Sequence, residues 1–456
     1  MKNCCPLLVL SACLAAAPLF AAPSDPAFQF QFGAAQAAPG YTLVPLTRQY
    51  SEANGWGFEP GATVTSSTAG TGDALHQGAV TGTRPFQFSV AVPEGNYRVT
   101  VTLGDPRADA VTTVKAESRR LLLESVYTAV GQFVTRSFTV NVRRPQISTG
   151  GQANLDSREW NAATQTAISR DWDDKLTLAF SDAHPAVAAL EIKKVDDAVT
   201  VFILGDSTVT DQPSAPGSSW GQMFTRWFGP EVAVANHAES GETLKGFLKE
   251  RRWEKVLDSV HPGDYVLIEF GCNDSKKSGP QNIYPGQDFS ETYAPADTTY
   301  KELLRQFVAD AKKHGANPVI LSPSARRQDK AKPSSLGPYA DVAMAVAHEV
   351  GVPGIDLNSM GVDLNAALGA DAAKQFNDQT HHVEYGSYLQ AKCVVLGLQQ
   401  AGVPLAKYIV NDFGGFDPKH PAPLPANFDL PPDGSGRGGR AARNAPVTPA
   451  VAPKTP

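Results

Sequence analysis

From Asp25 to about Asp197, apolar residues fall at every second position in short runs, as in Phe28 to Phe32, Phe86 to Val92, Tyr97 to Val101, Phe138 to Val142 and Leu176 to Phe180. Successive side chains of a strand point to opposite faces, so this period predicts half-buried antiparallel strands. Stretches such as Pro93-Glu94-Gly95-Asn96 mark the turns between them. A jelly-roll-like β-sandwich over residues 25–197 follows. At Ala198 the pattern changes. Val199 to Leu204 is a continuous β-branched run, as expected of a strand covered on both faces. Strand-like runs (Tyr265 to Phe270, Pro318 to Ser322) then alternate with helical patterns (Lys301 to His314, Tyr339 to Val350) that close near Gly315 and Gly351. This predicts an α/β domain with a mainly parallel sheet over residues 198–415. Residues 416–456 are rich in Pro, Gly and Ala without apolar periodicity and are expected to form a disordered tail.

A hydrophobic fraction of 42% excludes an intrinsically disordered chain, and a net charge of −6 supplies no basic excess for nucleic acid. Lys2, the apolar run Pro6 to Phe20 and the pair Ala21-Ala22 have the three-part pattern of a signal peptide over residues 1–22, which implies a secreted or periplasmic protein. Leu10-Ser11-Ala12-Cys13 resembles a lipobox, so a lipid on Cys13 is the alternative. It is disfavoured because the run stays apolar through Phe20. No later run is apolar enough to span a membrane. Beyond the leader only Cys272 and Cys393 remain, either as a pair or as two buried thiols. With no CxxC and no His pair at i, i+4, a structural zinc site is unsupported, and no cofactor is expected. Nothing in the pattern speaks to oligomeric state.

The first strand of the α/β domain ends in Gly205-Asp206-Ser207, and reacting groups of open parallel sheets gather at such carboxyl ends. Taken alone, Gly-Asp-Ser is an ordinary strand exit. A serine nucleophile needs a base, and the base needs an orienting acceptor. Among nine histidines, His381 has Asp378 three residues before it, close enough in a turn to accept the Nδ1 proton. On its own Asp378 reads equally well as a helix cap. Gly241, after a short apolar run, and Asn273, after the Tyr265 to Phe270 strand, can add donors for an oxyanion.

These four blocks in this order resemble the SGNH (GDSL-type) hydrolase superfamily, and more closely the rhamnogalacturonan acetylesterase family, over about Val199 to Val410. The matching residues are Gly205-Asp206-Ser207-Thr208-Val209, Gly241, Gly271-x-Asn273-Asp274 and Asp378-x-Thr380-His381. Trp220-Gly221, Trp253, Gly263-Asp264-Tyr265 and Ser324-Ala325-Arg326-Arg327 are also similar to that family. The resemblance implies a three-layer α/β/α domain, with Ser207 as nucleophile, His381 as base and then acid, and Asp378 orienting it. It further implies an oxyanion hole of the Ser207 and Gly241 N–H groups with the Asn273 amide, and no metal. Trp220, Arg326 and Arg327 become candidate substrate contacts, the arginines for uronate carboxylates. Glu242, Thr243 and Cys272 depart from the family pattern, which bears on substrate preference more than on reaction type.

The amino-terminal sandwich resembles galactose-binding-like modules that precede this esterase domain in bacterial pectin-degrading enzymes, through Phe30-Gln31-Phe32-Gly33 and Tyr50 to Phe58. Trp56 there either stacks on a sugar or packs internally. The resemblance implies a secreted deacetylase whose partner is acetylated rhamnogalacturonan, a pectic polysaccharide. The alternatives are an esterase of another acetylated glycan such as xylan or of small acyl esters, and an inactive carbohydrate-binding protein, the last disfavoured by four intact blocks.

Overall fold

The computed structural model describes Met1 and residues 27–69, 73–277, 291–330 and 334–422, so the leader and nearly all of the expected tail lie outside the described residues. One sheet of the sandwich runs Trp56–Phe58, Phe86–Ala91, Lys175–His184, Ala110–Ala116 and Arg120–Thr128, antiparallel throughout. The facing sheet carries Val134–Val142, Gly95–Leu103, Ala186–Val195 and Ala27–Gln31. Phe30, Phe88, Val99, Leu178 and Leu190 fill the space between them, the inward half of the alternating pattern. Trp56 belongs to this packing: its ring lies 5.0 Å from that of Phe30, and the Arg48 guanidinium sits 4.4 Å from its centroid.

The parallel part has the order Gly354–Ile355, Asn317–Leu321, Tyr265–Glu269, Val199–Leu204, Val232–Asn236. Val201, Ile203, Leu267 and Leu321 pack with the helices Trp220–Phe224 and Glu384–Gln400. Their neighbours Phe202, Leu204, Ile268 and Ile320 pack with Arg252–Ser259, Lys301–Lys313 and Gly337–Glu349 on the other face. Alternate residues of each strand are thus buried under opposite helix layers, which explains the unbroken apolar runs. Val199–Leu204 lies between the second and third strands of the series, so connections leave its carboxyl end in opposite directions and open a crevice there.

The facing sheet of the sandwich and the parallel sheet are one continuous sheet. Val134–Val142 pairs parallel to Val232–Asn236, with Thr139 opposite Ala233 and Val140 opposite Val234. Beside this seam the fully buried Arg120 donates to Asp211 (2.6 Å), Asp171 (3.0 Å) and the Asn141 carbonyl (3.2 Å), so one guanidinium joins acids from both halves. Leu121 enters the hydrophobic core under Trp220. Cys272 and Cys393 are both free and buried. Among the described residues no helix is long and apolar enough to cross a membrane.

Replacing Arg120 by Met removes the guanidinium that buried Asp171 and Asp211 both accept from and leaves only Arg143 near them. We expect a loss of ~3–5 kcal/mol in denaturant unfolding at neutral pH, with both halves unfolding in one transition.

Candidate active site

The Val199–Leu204 strand ends in a turn that no larger residue than glycine can begin. A Cβ on Gly205 would lie 2.4 Å from Val209 Cγ2 and 2.7 Å from the Glu269 carbonyl oxygen. The Asp206 carbonyl accepts the Val209 and Thr210 N–H groups, and its carboxylate accepts from the Thr208 N–H and hydroxyl. This turn presents Ser207 at the switch point. Asn236, at the end of the adjacent strand, ties the same turn down through the Val209 carbonyl (2.7 Å) and Asp211 (2.8 Å).

His381 reaches Ser207 from the loop before the Glu384–Gln400 helix. Its Nε2 is 2.9 Å from Ser207 Oγ and its Nδ1 is 2.7 Å from Asp378 Oδ2. Asp378 Oδ1 accepts the Thr380 and His381 backbone N–H groups at 2.7 and 2.8 Å, so carboxylate and imidazole are held by one short turn. Burial pushes the Asp378 carboxyl up, but the hydrogen bonds from the His381 ring and this backbone outweigh it and hold it below its ordinary range. An ionised Asp378 keeps the ring proton on Nδ1 and leaves Nε2 free to accept the Ser207 proton.

A cleft of about 510 Å³ surrounds this chain, lined among others by Ser207, His381, Gly241, Asn273, Lys276 and, from the sandwich, Arg158. The Ser207 and Gly241 backbone N–H groups have no acceptor among the described residues. Gly241 has φ +92°, a conformation that favours glycine. The Asn273 amide donates to the Glu242 carbonyl (3.1 Å), while its oxygen accepts from Lys276 Nζ (2.6 Å), which fixes which end of the amide is the donor. Asp274 joins two of the sequence blocks, accepting the Leu244 and Gly271 N–H groups at 3.0 Å each. Ser207, Gly241, Asn273 and His381 thus line one cleft, with two backbone N–H groups without an acceptor among the described residues beside the Ser207 hydroxyl's hydrogen bond to His381.

Three expected contacts fall elsewhere. Trp220 is fully buried with its indole N–H on Glu269 Oε2 (2.8 Å), so it is a packing residue and not a substrate contact. Arg326 turns to the Cys272 thiol (Nη2–Sγ 3.8 Å), and Arg327 meets the catalytic-side loop through its backbone N–H on the Gln379 carbonyl. Neither arginine lines the cleft. In their place stand Arg158, Lys276 and Gln212, the last donating to the Ser207 carbonyl (2.9 Å). Glu269 was also missed. It lies beneath the nucleophile turn, accepting from Trp220 and the Ser324 N–H (2.8 Å). A lone acid in the otherwise apolar Tyr265–Glu269 strand was its signal.

Residues 203–383 match the GDSL-like lipase/acylhydrolase family, and residues 28–153 match the β-agarase/YXIM esterase-like, galactose-binding domain-like family. The chain is 32% identical over 237 residues to rhamnogalacturonan acetylesterase RhgT of Bacillus subtilis (strain 168), covering 47% of this chain and 96% of that one. It is 26% identical over 398 residues to the uncharacterized esterase YxiM of the same organism, covering 82% and 91%. The crystal structure of YxiM from Bacillus subtilis covers 83% of this chain and 99% of that one at 23% identity, with a TM-score of 0.42.

Burial, reinforced by the nearby Asp206 carboxylate, pushes Glu269 from its ordinary 4.5 to about 7, against the hydrogen bonds from Trp220 and Ser324. Between those values the folded chain keeps a proton that the unfolded chain has lost. The contribution of Glu269 to stability is therefore full below about 4.5 and declines as pH rises to about 7. Glu269→Gln, neutral throughout, should lose less stability than the parent between pH ~5 and ~8, read from urea midpoints at the two pH values. An equal loss in both proteins would contradict this account of Glu269.

Proposed function

The chain belongs to the GDSL-like lipase/acylhydrolase family and is a carboxylic-ester hydrolase of the carbohydrate esterase kind, and on that premise we propose that it removes O-acetyl groups from acetylated rhamnogalacturonan. The observation that carries the mechanism is the continuous hydrogen-bonded line Asp378–His381–Ser207 in a cleft that also offers two backbone N–H groups without an acceptor among the described residues. Ser207 Oγ attacks the acetyl carbonyl as its proton passes to His381 Nε2, and the oxyanion is met by the Ser207 and Gly241 N–H groups and the Asn273 amide. His381 then returns the proton to the departing sugar oxygen, leaving an acetyl ester on Ser207. Water gives a proton to His381 and its oxygen to the acetyl carbon; collapse releases acetate and restores the serine hydroxyl. The mechanism requires His381 as the neutral imidazole, so activity falls toward acid.

The substrate rests on the similarity to RhgT and on Lys276, a cation lining the cleft that suits an acidic backbone, Arg158 being paired with Asp156 there. The signal-peptide pattern at Lys2 to Ala22 supports export to where such polymers occur.

Acetate release from acetylated rhamnogalacturonan and acetylated xylan, measured side by side, tests both parts. Release should come mainly from the pectic polymer. Ser207→Ala should lower kcat by about 10⁶-fold and Asp378→Asn by about 10⁴-fold. Release from xylan alone would keep the mechanism and replace the substrate, whereas undiminished release by Ser207→Ala would remove the mechanism.

A further inference from the structure

The Gly241 turn closes through the Glu242 N–H on the Glu239 carbonyl (3.2 Å), but no side chain packs on the glycine itself. Nothing lies within 4 Å of the position a Gly241 Cβ would take, and the residue adopts a conformation with wide backbone freedom. The α/β domain reaches this loop through Asn273 on the Glu242 carbonyl and Gln212 on the Ser240 hydroxyl, but the Ser240 carbonyl is held from the sandwich. Arg158 Nη2 donates to the Ser240 carbonyl at 2.7 Å and lies 3.1 Å from Glu239 Oε1. Among the described residues no other donor reaches the Ser240 carbonyl. Arg158 is itself fixed by its neighbour Asp156, which accepts its backbone N–H (2.7 Å), its Nε (2.7 Å) and its Nη2. On the far side of the glycine, Glu242 Oε1 faces Arg252 Nε at 3.8 Å, and the buried Arg252 forks onto Glu159, next in the chain to Arg158.

The Ser240 carbonyl and the Gly241 N–H belong to one peptide unit. That unit is planar and trans, so its C=O and N–H point in opposite directions. A guanidinium that holds the carbonyl on one side therefore sets the direction of the N–H on the other. Releasing it frees the plane to rotate about the bonds flanking Ser240 and Gly241. A cationic donor on the carbonyl also polarises the same amide and strengthens its N–H as a donor.

We propose that Arg158 of the sandwich is a positioning residue for ester hydrolysis, orienting the Gly241 N–H by holding the carbonyl of the same peptide. The proposal rests on Gly241 serving as an oxyanion donor. It makes the sandwich part of the catalytic apparatus, through a residue that touches the donor's peptide and need not touch the substrate.

The test uses the full chain and two substrates, the small neutral ester 4-nitrophenyl acetate and acetylated rhamnogalacturonan, for Arg158→Ala, Arg158→Lys and, as control, Ser207→Ala. Arg158→Ala should lower kcat about 10–100-fold on both substrates, with KM changed less than about twofold. Arg158→Lys, which keeps a cationic donor to the carbonyl, should recover much of that loss. Unchanged kcat on the small ester would overturn the proposal. So would a loss confined to KM on the acidic polymer, which would make Arg158 a substrate contact. A drop in unfolding midpoint that Arg158→Lys fails to reverse together with kcat would reduce it to a structural role and equally overturn it. Should Ser207→Ala keep its activity, the esterase mechanism fails first, an outcome distinguishable from all of these.

Discussion

The pairing of Val134–Val142 with Val232–Asn236 is the constraint on which the rest of the molecule depends. Strand pairing fixes two chains to within a fraction of a residue, because a slip of one position would turn every side chain to the wrong face. Here that precision is imposed between an antiparallel sandwich and a parallel sheet. It places Arg120 where Asp171 and Asp211 can both accept from it. A charge so deeply buried is tolerable only with its partners in place, so the ion pairs lock the arrangement that the strand pairing sets. The segment from Asp156 to Glu159 lies at the rim of the cleft, tied to the α/β domain at the Ser240 carbonyl and Arg252.

A second consequence concerns charge around the nucleophile. The oxyanion proposed beside Ser207 is opposed by any negative charge nearby, and the acids there include Asp206, Glu269 and Asp274. Burial pushes all three up, Glu269 and Asp274 to about 7, despite hydrogen bonds that favour the charged forms. Raising a carboxyl toward neutrality weakens its opposition to a forming anion. Asp378 is treated in the opposite way, kept ionised by the His381 turn. The fold thus separates acids that hold turns together from the one acid that must carry charge.

Much of this was legible in the sequence because the constraints are local. Gly205 is demanded by Val209 and Glu269 crowding the strand exit, Gly241 by its φ, and Asp378 and His381 by a turn of three residues. The alternating and continuous apolar runs marked the two kinds of sheet for the same reason. What stayed hidden depends on residues far apart in the chain. Arg158 lies 82 positions from Ser240, and Glu159 lies 93 from Arg252. No periodicity links such positions. Trp220 and Arg326 misled because residue type alone does not tell an exposed indole or guanidinium from one turned inward to Glu269 or Cys272.

The departures from the family pattern now have a physical account that differs from substrate preference. Glu242 is buried, and its carboxyl points away from the acyl site toward Arg252, which holds Glu159 of the sandwich. Cys272 is equally buried, its thiol pushed up to about 11 by burial, with Arg326 as its neighbour. Neither side chain faces a substrate. A basic residue at position 242 would set a second cation against the buried Arg252 in a site that water does not reach. Glu242 thus packs behind the Arg252–Glu159 contact between the domains, beside the glycine whose N–H Arg158 is proposed to direct.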